Sequence, residues 1–185
     1  QRVDPSGNML WAANGVVISA AAIVQVQPRI TADGAGGAVI VWTDYRNGCN
    51  CTSSADVYAQ RINSAGVPQW TTDGVALCTA PSDQLGSNIV SDGAGGAIVA
   101  WEDQRDLGVS GSNIFAQRVS SSGSPSWTVD GVALCSAVGN QQHPSITTDG
   151  SGGAIVAWDD NRSTSTFVDI YVQRVGAAFQ NLNAA

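Results

Sequence analysis

The chain alternates short apolar runs with glycine-rich turns, and the alternation repeats every 57–59 residues. The run Ala97-Ile98-Val99-Ala100-Trp101 is apolar at every position, with counterparts from Ala38 to Trp42 and from Ala154 to Trp158. A strand with one wet face alternates apolar and polar residues, so continuous apolarity predicts strands covered on both faces. Each run follows an Asp-Gly-x-Gly-Gly turn, at Asp33–Gly37, Asp92–Gly96 and Asp149–Gly153. Its glycines supply the positive φ angles of a tight hairpin. Each run ends in Trp-x-Asp-x-Arg and gives way to a variable polar loop. Next comes a strand ending in Gln-Arg, at Gln60-Arg61, Gln117-Arg118 and Gln173-Arg174, with Gln1-Arg2 as a further copy of that end. The unit closes on Gly-Val-Ala-Leu-Cys at Gly74–Cys78 and Gly131–Cys135, and on Gly15–Ser19 in the first copy.

Each unit therefore holds four short strands, A to D, placed in the middle copy at about Asn88–Ser91, Ala97–Asp103, Asn113–Val119 and Gly131–Cys135. A strict repeat of this length with doubly covered strands predicts an all-β chain, a β-propeller-like array of four-stranded antiparallel blades. A β-sandwich also uses short strands and glycine turns but requires no such repeat. We treat residues 1–185 as one repeat domain, with repeats over 1–59, 60–116 and 117–185, the last including a C-terminal tail. In strand letters the chain reads C-D, A-B-C-D, A-B-C-D, A-B-C. The two ends are complementary partial sets, and the start at Gln1 reads as a processed or excised chain.

Composition narrows the function classes. The net charge is −7, there is no lysine, and the arginines mostly occupy fixed places in the repeat. An acidic chain without a basic patch predicts neither a nucleic-acid partner nor an anionic membrane surface. No apolar run approaches the roughly 20 residues of a membrane-spanning helix. The cysteines are Cys49, Cys51, Cys78 and Cys135, and the only histidine is His143. That set predicts disulfides of a secreted, extracellular or cell-surface protein, with connectivity open. It predicts no metal site and no cofactor. Asn50 and Asn161 open glycosylation sequons in predicted loops.

The turn between strands C and D carries Asp4, Gly7 and Trp11, then Asn63, Gly66 and Trp70, then Ser120, Gly123 and Trp127. It resembles the Asp-box of bacterial neuraminidase repeats, Ser-x-Asp-x-Gly-x-x-Trp, which lies on a hairpin between the third and fourth blade strands. The spacing here is one residue longer on each side of the glycine, and only the first copy keeps the Asp. The resemblance implies a propeller of a secreted bacterial protein. The Asp-box of that family is structural, so it implies no activity.

Three Trp-x-Asp-x-Arg copies are the candidate binding residues: Trp42, Asp44 and Arg46; Trp101, Asp103 and Arg105; Trp158, Asp160 and Arg162. Arginine forks, carboxylate acceptors and indole faces together suit a glycan. The same residues equally suit buried Asp–Arg pairs that tie the blades, because a residue the fold needs recurs in every copy. The lone glutamate, Glu102, and three tyrosines do not assemble a sialidase-type site, so no catalytic residue is predicted and the chain reads as a non-enzyme. The leading expectation is a structural or adhesive extracellular protein that self-assembles with copies of itself, into a ring or a filament, by blade or strand complementation. A glycan-binding module and a fragment of a larger secreted hydrolase are the alternatives.

Overall fold

A computed structural model describes residues 1–48, 55–163 and 167–178. The described chain is all-β, built from three antiparallel sheets. The first holds β1 (Gln25–Ala32), β2 (Ala38–Asp44), β3 (Asp56–Ile62) and β4 (Val75–Cys78) in sequence order. The second repeats this with β5 (Gln84–Ser91), β6 (Ala97–Asp103), β7 (Asn113–Val119) and β8 (Val132–Cys135). The third has β9 (Gln141–Thr148), β10 (Ala154–Asp160) and β11 (Asp169–Val175). These are propeller blades stacked face to face, with the first strands β1, β5 and β9 adjacent along the inner side.

The doubly apolar strands form the junctions. Val39, Val41, Val57 and Ala59 of the first blade pack against Ala97, Val99, Trp101 and Val119 of the second. Ala100, Ile114 and Ala116 leave the other face of the second blade and pack on Val156 and Trp158 of the third. Trp101 is fully buried. Truncating a core tryptophan costs about 3–5 kcal/mol, so each junction is a main stabilising element.

Each turn is satisfied by a side chain. Asp33 Oδ1 accepts the N–H groups of Ala35 and Gly37, and Asp92 and Asp149 cap the same turn in their blades. The second oxygen accepts the arginine of the Gln-Arg pair, as in Arg61–Asp33 at 2.9 Å and Arg118–Asp92 at 2.8 Å. Gln60, wholly buried, accepts from the N–H groups of Arg61 and Trp70 and donates to Thr71 O. That holds the C–D loop against its blade. In the Asp-box-like turns, Asp4 and Asn63 accept two backbone N–H groups each, and Ser120 accepts one.

Two expectations about strands change. β5 begins at Gln84, ahead of Asn88, because a bulge between Leu85 and Asn88 hides its first turn of pairing. Residues 15–19 form no strand, although they match β4 and β8 in sequence. Among the described residues they have no neighbouring strand to pair with, whereas β4 is held by β3. The start of the chain keeps only the bridge Val3–Met9, equivalent to Ile62–Pro68 and Val119–Pro125.

Candidate functional site

The Trp-x-Asp-x-Arg residues converge within each blade. Trp101 Nε1 donates to Asp103 Oδ2 at 2.8 Å, and the Arg105 guanidinium grips both carboxylate oxygens at 2.8 and 2.7 Å. Asp44 and Asp160 sit in the same clasp with their own Trp and Arg. The three carboxylates are essentially inaccessible, and the three indoles are buried. Each guanidinium lies flat on a ring, Arg46 over Tyr58 at 3.9 Å, Arg105 over Phe115 at 4.0 Å and Arg162 over Tyr171 at 3.8 Å. Arg105 then donates to Asp130 O at 2.7 Å, as Arg46 does to Asp73 O. Burial opposes ionisation of Asp160, but the hydrogen bonds from Arg162 and Trp158 win and hold its carboxyl at about 2. The indole N–H groups and the Nε and Nη2 groups of the arginines are thus engaged inside the protein, while the side chains of Arg46, Arg105 and Arg162 keep 18%, 20% and 30% of their surface exposed.

The cysteines belong to the same clasp. Cys78 Sγ lies 3.2 Å from Arg105 Nη2 of the next blade, and Cys135 Sγ lies 2.9 Å from Arg162 Nη2. Ser19 Oγ holds the equivalent place by Arg46 at 3.4 Å. Cys78 and Cys135 are free thiols, so the disulfides expected of them are not formed. Ser19 in the same place indicates a position that takes a small side chain against the guanidinium and needs no bridge. Burial pushes the Cys78 thiol up to about 12. Cys49, Cys51 and the sequon at Asn50 lie outside the described residues. Asn161 is exposed, and its Oδ1 accepts from Asn140 N. Among the described residues no group of His, Cys, Asp and Glu could hold a metal ion, and no helix is long and apolar enough to cross a membrane.

What differs between blades lies between the repeated residues. The position inside Trp-x-Asp is Thr43, Glu102 and Asp159, and the position inside Asp-x-Arg is Tyr45, Gln104 and Asn161. They stand at the blade end where the inner strands begin, and there each inner strand bulges. Gln27, Gly86 and His143 occupy the bulge with φ of 54°, 61° and 53°. Only the glycine adopts that conformation without strain, which amounts to about 1 kcal/mol or more for the other two. Glu102 Oε1 accepts from Gln104 Nε2 and, across the blade junction, from Gln142 Nε2, both at 3.3 Å. His143 Nδ1 and Asp159 Oδ2 are 2.9 Å apart, with 76% and 43% of their side chains exposed. A cavity of about 170 Å³ opens here, lined by Asn140, Gln142, His143, Asp159, Asn161 and Val168 among others. The sequence pattern singles out Glu102, His143 and Asn161 but gives none of them a binding role, because the repeat draws attention to what is constant. The signal that finds them is variation at fixed positions of a constant frame.

No protein-family model and no curated protein matches the sequence. Among solved structures, the chain is similar to the Penicillium chrysogenum α-L-arabinanase complexed with arabinobiose, with a TM-score of 0.56 and 13% identity. That match covers 80% of this chain and 45% of the arabinanase. The endo-arabinase of Bacteroides thetaiotaomicron matches with a TM-score of 0.42 and 18% identity, over 77% of this chain and 53% of its own. The chain thus spans about half the length of these propellers. The first match identifies the described blades as part of a propeller fold.

Proposed function

We propose that the chain is a glycan-binding segment of a β-propeller, working without catalysis, outside the cell. The observation that carries the reading is the unrepeated polar set at one end of a repeated scaffold, the exposed pair His143 and Asp159 beside Asn140, Gln142 and Asn161 around one cleft. Carboxylates, side-chain amides and an imidazole offer paired donors and acceptors of the kind sugar hydroxyls use. A shallow cleft with a few convergent polar groups is the usual form of a small-ligand site. The binding end is the one predicted from the Trp-x-Asp-x-Arg motif. The residues are the ones interleaved with that motif, which itself holds the frame. The C–D turns are read as degenerate Asp-boxes with a structural role. The arabinanase-like fold makes arabinan the first polymer to try, within a wider panel of polysaccharides.

Affinity electrophoresis and titration calorimetry on the full chain test this. The expected result is binding to at least one glycan, weakened at least tenfold in the double variant His143→Ala, Asp159→Asn at unchanged Tm. Unchanged binding in that variant, or a wild type that no glycan retains, overturns the reading. Release of reducing sugar by the wild type overturns its non-catalytic part.

A further inference from the structure

A cavity opens on the outer rim of the junction between the first and second blades. It holds about 340 Å³ and is walled by Leu77 of β4 and by Pro125, Trp127, Val129 and Asp130 of the β7–β8 loop, among others. It shares no lining residue with the end cleft around His143. A cavity of about 290 Å³ stands one blade earlier, where Ile18, Pro68, Trp70, Thr72 and Asp73 take the same places. Trp127 is half-buried, and its indole N–H is already bonded to Ala177 O at 3.3 Å, so it offers the cavity ring surface. Trp70 is likewise bonded to Ser121 O at 3.0 Å. Asp130 has a φ of 60°, a conformation that Asp and Asn adopt with least strain among side-chain-bearing residues. Its Oδ1 accepts Thr79 N of the first blade at 2.9 Å, and among the described residues its Oδ2 accepts no hydrogen bond.

We propose that these two rim cavities are sugar sites, each taking a single pyranose ring. The lining selects the ligand by what it lacks as well as by what it has. A purely apolar molecule would strip water from the carboxylate without replacing it. An anion would meet it as a like charge. A pyranose satisfies both parts of the wall. Its C–H face lies on the indole and the aliphatic side chains, and a hydroxyl at its edge donates to Asp130 Oδ2, a charge-assisted hydrogen bond. The volume is at the small end of ligand sites, which suits one ring. These sites are separate from the cleft at the blade end and do not depend on it. Standing one blade apart, they let a repeating or branched glycan engage both at once, so that the second contact is intramolecular.

NMR titration of the full chain, labelled with nitrogen-15, reads the two sites individually, because Trp70 and Trp127 each carry an indole N–H beside their own cavity. The probes are the methyl glycosides of glucose, galactose, mannose and xylose in the millimolar range. The expected result is a saturable shift of the Trp127 indole signal with at least one of them. Val129→Arg, at a position 82% exposed, sets a guanidinium in the cavity against Asp130 and is expected to abolish the Trp127 response while the Trp70 response stays. Asp130→Asn keeps an acceptor for Thr79 N at a tolerated φ and is expected to weaken binding at Trp127 by about fivefold or more at unchanged Tm. The double variant His143→Ala, Asp159→Asn is expected to leave both indole responses intact, which separates the rim sites from the end cleft. Indoles that respond to no glycoside overturn the proposal, as does a Trp127 response that survives Val129→Arg or is unchanged in Asp130→Asn. A response to tetramethylammonium in place of the glycosides overturns it in favour of a cation site.

Discussion

Asp56 is a buried carboxyl without a cation of its own among the described residues, and replacing it is expected to stabilise the protein. It sits opposite Asp44 in the β2–β3 pairing, 1% exposed, and accepts a hydrogen bond from Asn47 Nδ2 at 2.8 Å. Burial, with Asp44 as a smaller contributor, pushes its carboxyl up from 3.8 to about 6. Between those values the folded chain binds a proton that the unfolded chain has released, so stability falls as pH rises. The fall is complete above about pH 6, and the gap from 3.8 to about 6 corresponds to about 3 kcal/mol. On a chain of this length that is about 6–12 °C in Tm. The second blade shows the remedy, since its equivalent residue is the neutral Asn113. Asp56→Asn keeps an acceptor for Asn47 and removes the buried charge. Calorimetric melting from pH 4 to 7.5 is the assay. The wild type should lose stability across that range up to pH 6, while the variant stays level and melts higher at pH 7. Equal Tm values at pH 7, or a wild-type Tm that does not fall between pH 4 and 6, would refute the reasoning.

Four further outcomes follow from the clasp. Arg105→Met leaves the inaccessible Asp103 carboxylate without its counter-charge, a loss of about 3–5 kcal/mol that urea unfolding measures. Gly131→Ala would place a Cβ 2.5 Å from Trp101 at a φ of +87°, so a drop of at least about 2 kcal/mol is expected on the same assay. Cys78, raised to about 12 and buried, should resist iodoacetamide at pH 8 in the folded protein and be labelled in guanidinium without reductant, as mass mapping would show. The lowered carboxyl of Asp160 acts in the opposite direction from Asp56. Its stabilisation is present above pH 3.8 and is lost as pH falls toward about 2, which the low-pH limb of the melting curve reads.

The repeat made most of the fold legible. The expected limits of the middle B and C strands, Ala97–Asp103 and Asn113–Val119, are those observed in β6 and β7. Each has an apolar stretch closed by a recurring polar end, Glu102-Asp103 in β6 and Gln117-Arg118 in β7, so pattern alone defines them. Strand A was harder, because the bulge around Gln27, Gly86 and His143 breaks its alternation and puts glycine or proline beside it. The likeness of residues 15–19 to β4 was correct as sequence, but a strand needs a neighbour, and a linear pattern does not supply one. The Trp-x-Asp-x-Arg residues were legible as a constellation, but the closing of Trp, Asp and Arg into one buried clasp depends on side-chain packing that spacing does not show. Arg61 stood out as a recurring position, whereas its partner Asp33 lies 28 positions away and emerges only from the hairpin's folding.

The rim contacts between blades also bear on how such a chain could change over generations. Arg61 and Trp70 reach forward from one unit, and what receives them is the main-chain carbonyl of Ser121; for Arg118 and Trp127 it is that of Ala177. A carbonyl is present whatever side chain the residue bears. The receiving position is therefore free to drift, and only the reaching residues are under constraint. A gene encoding such units could duplicate, delete or shuffle them without needing matched mutations on both sides of the new joint.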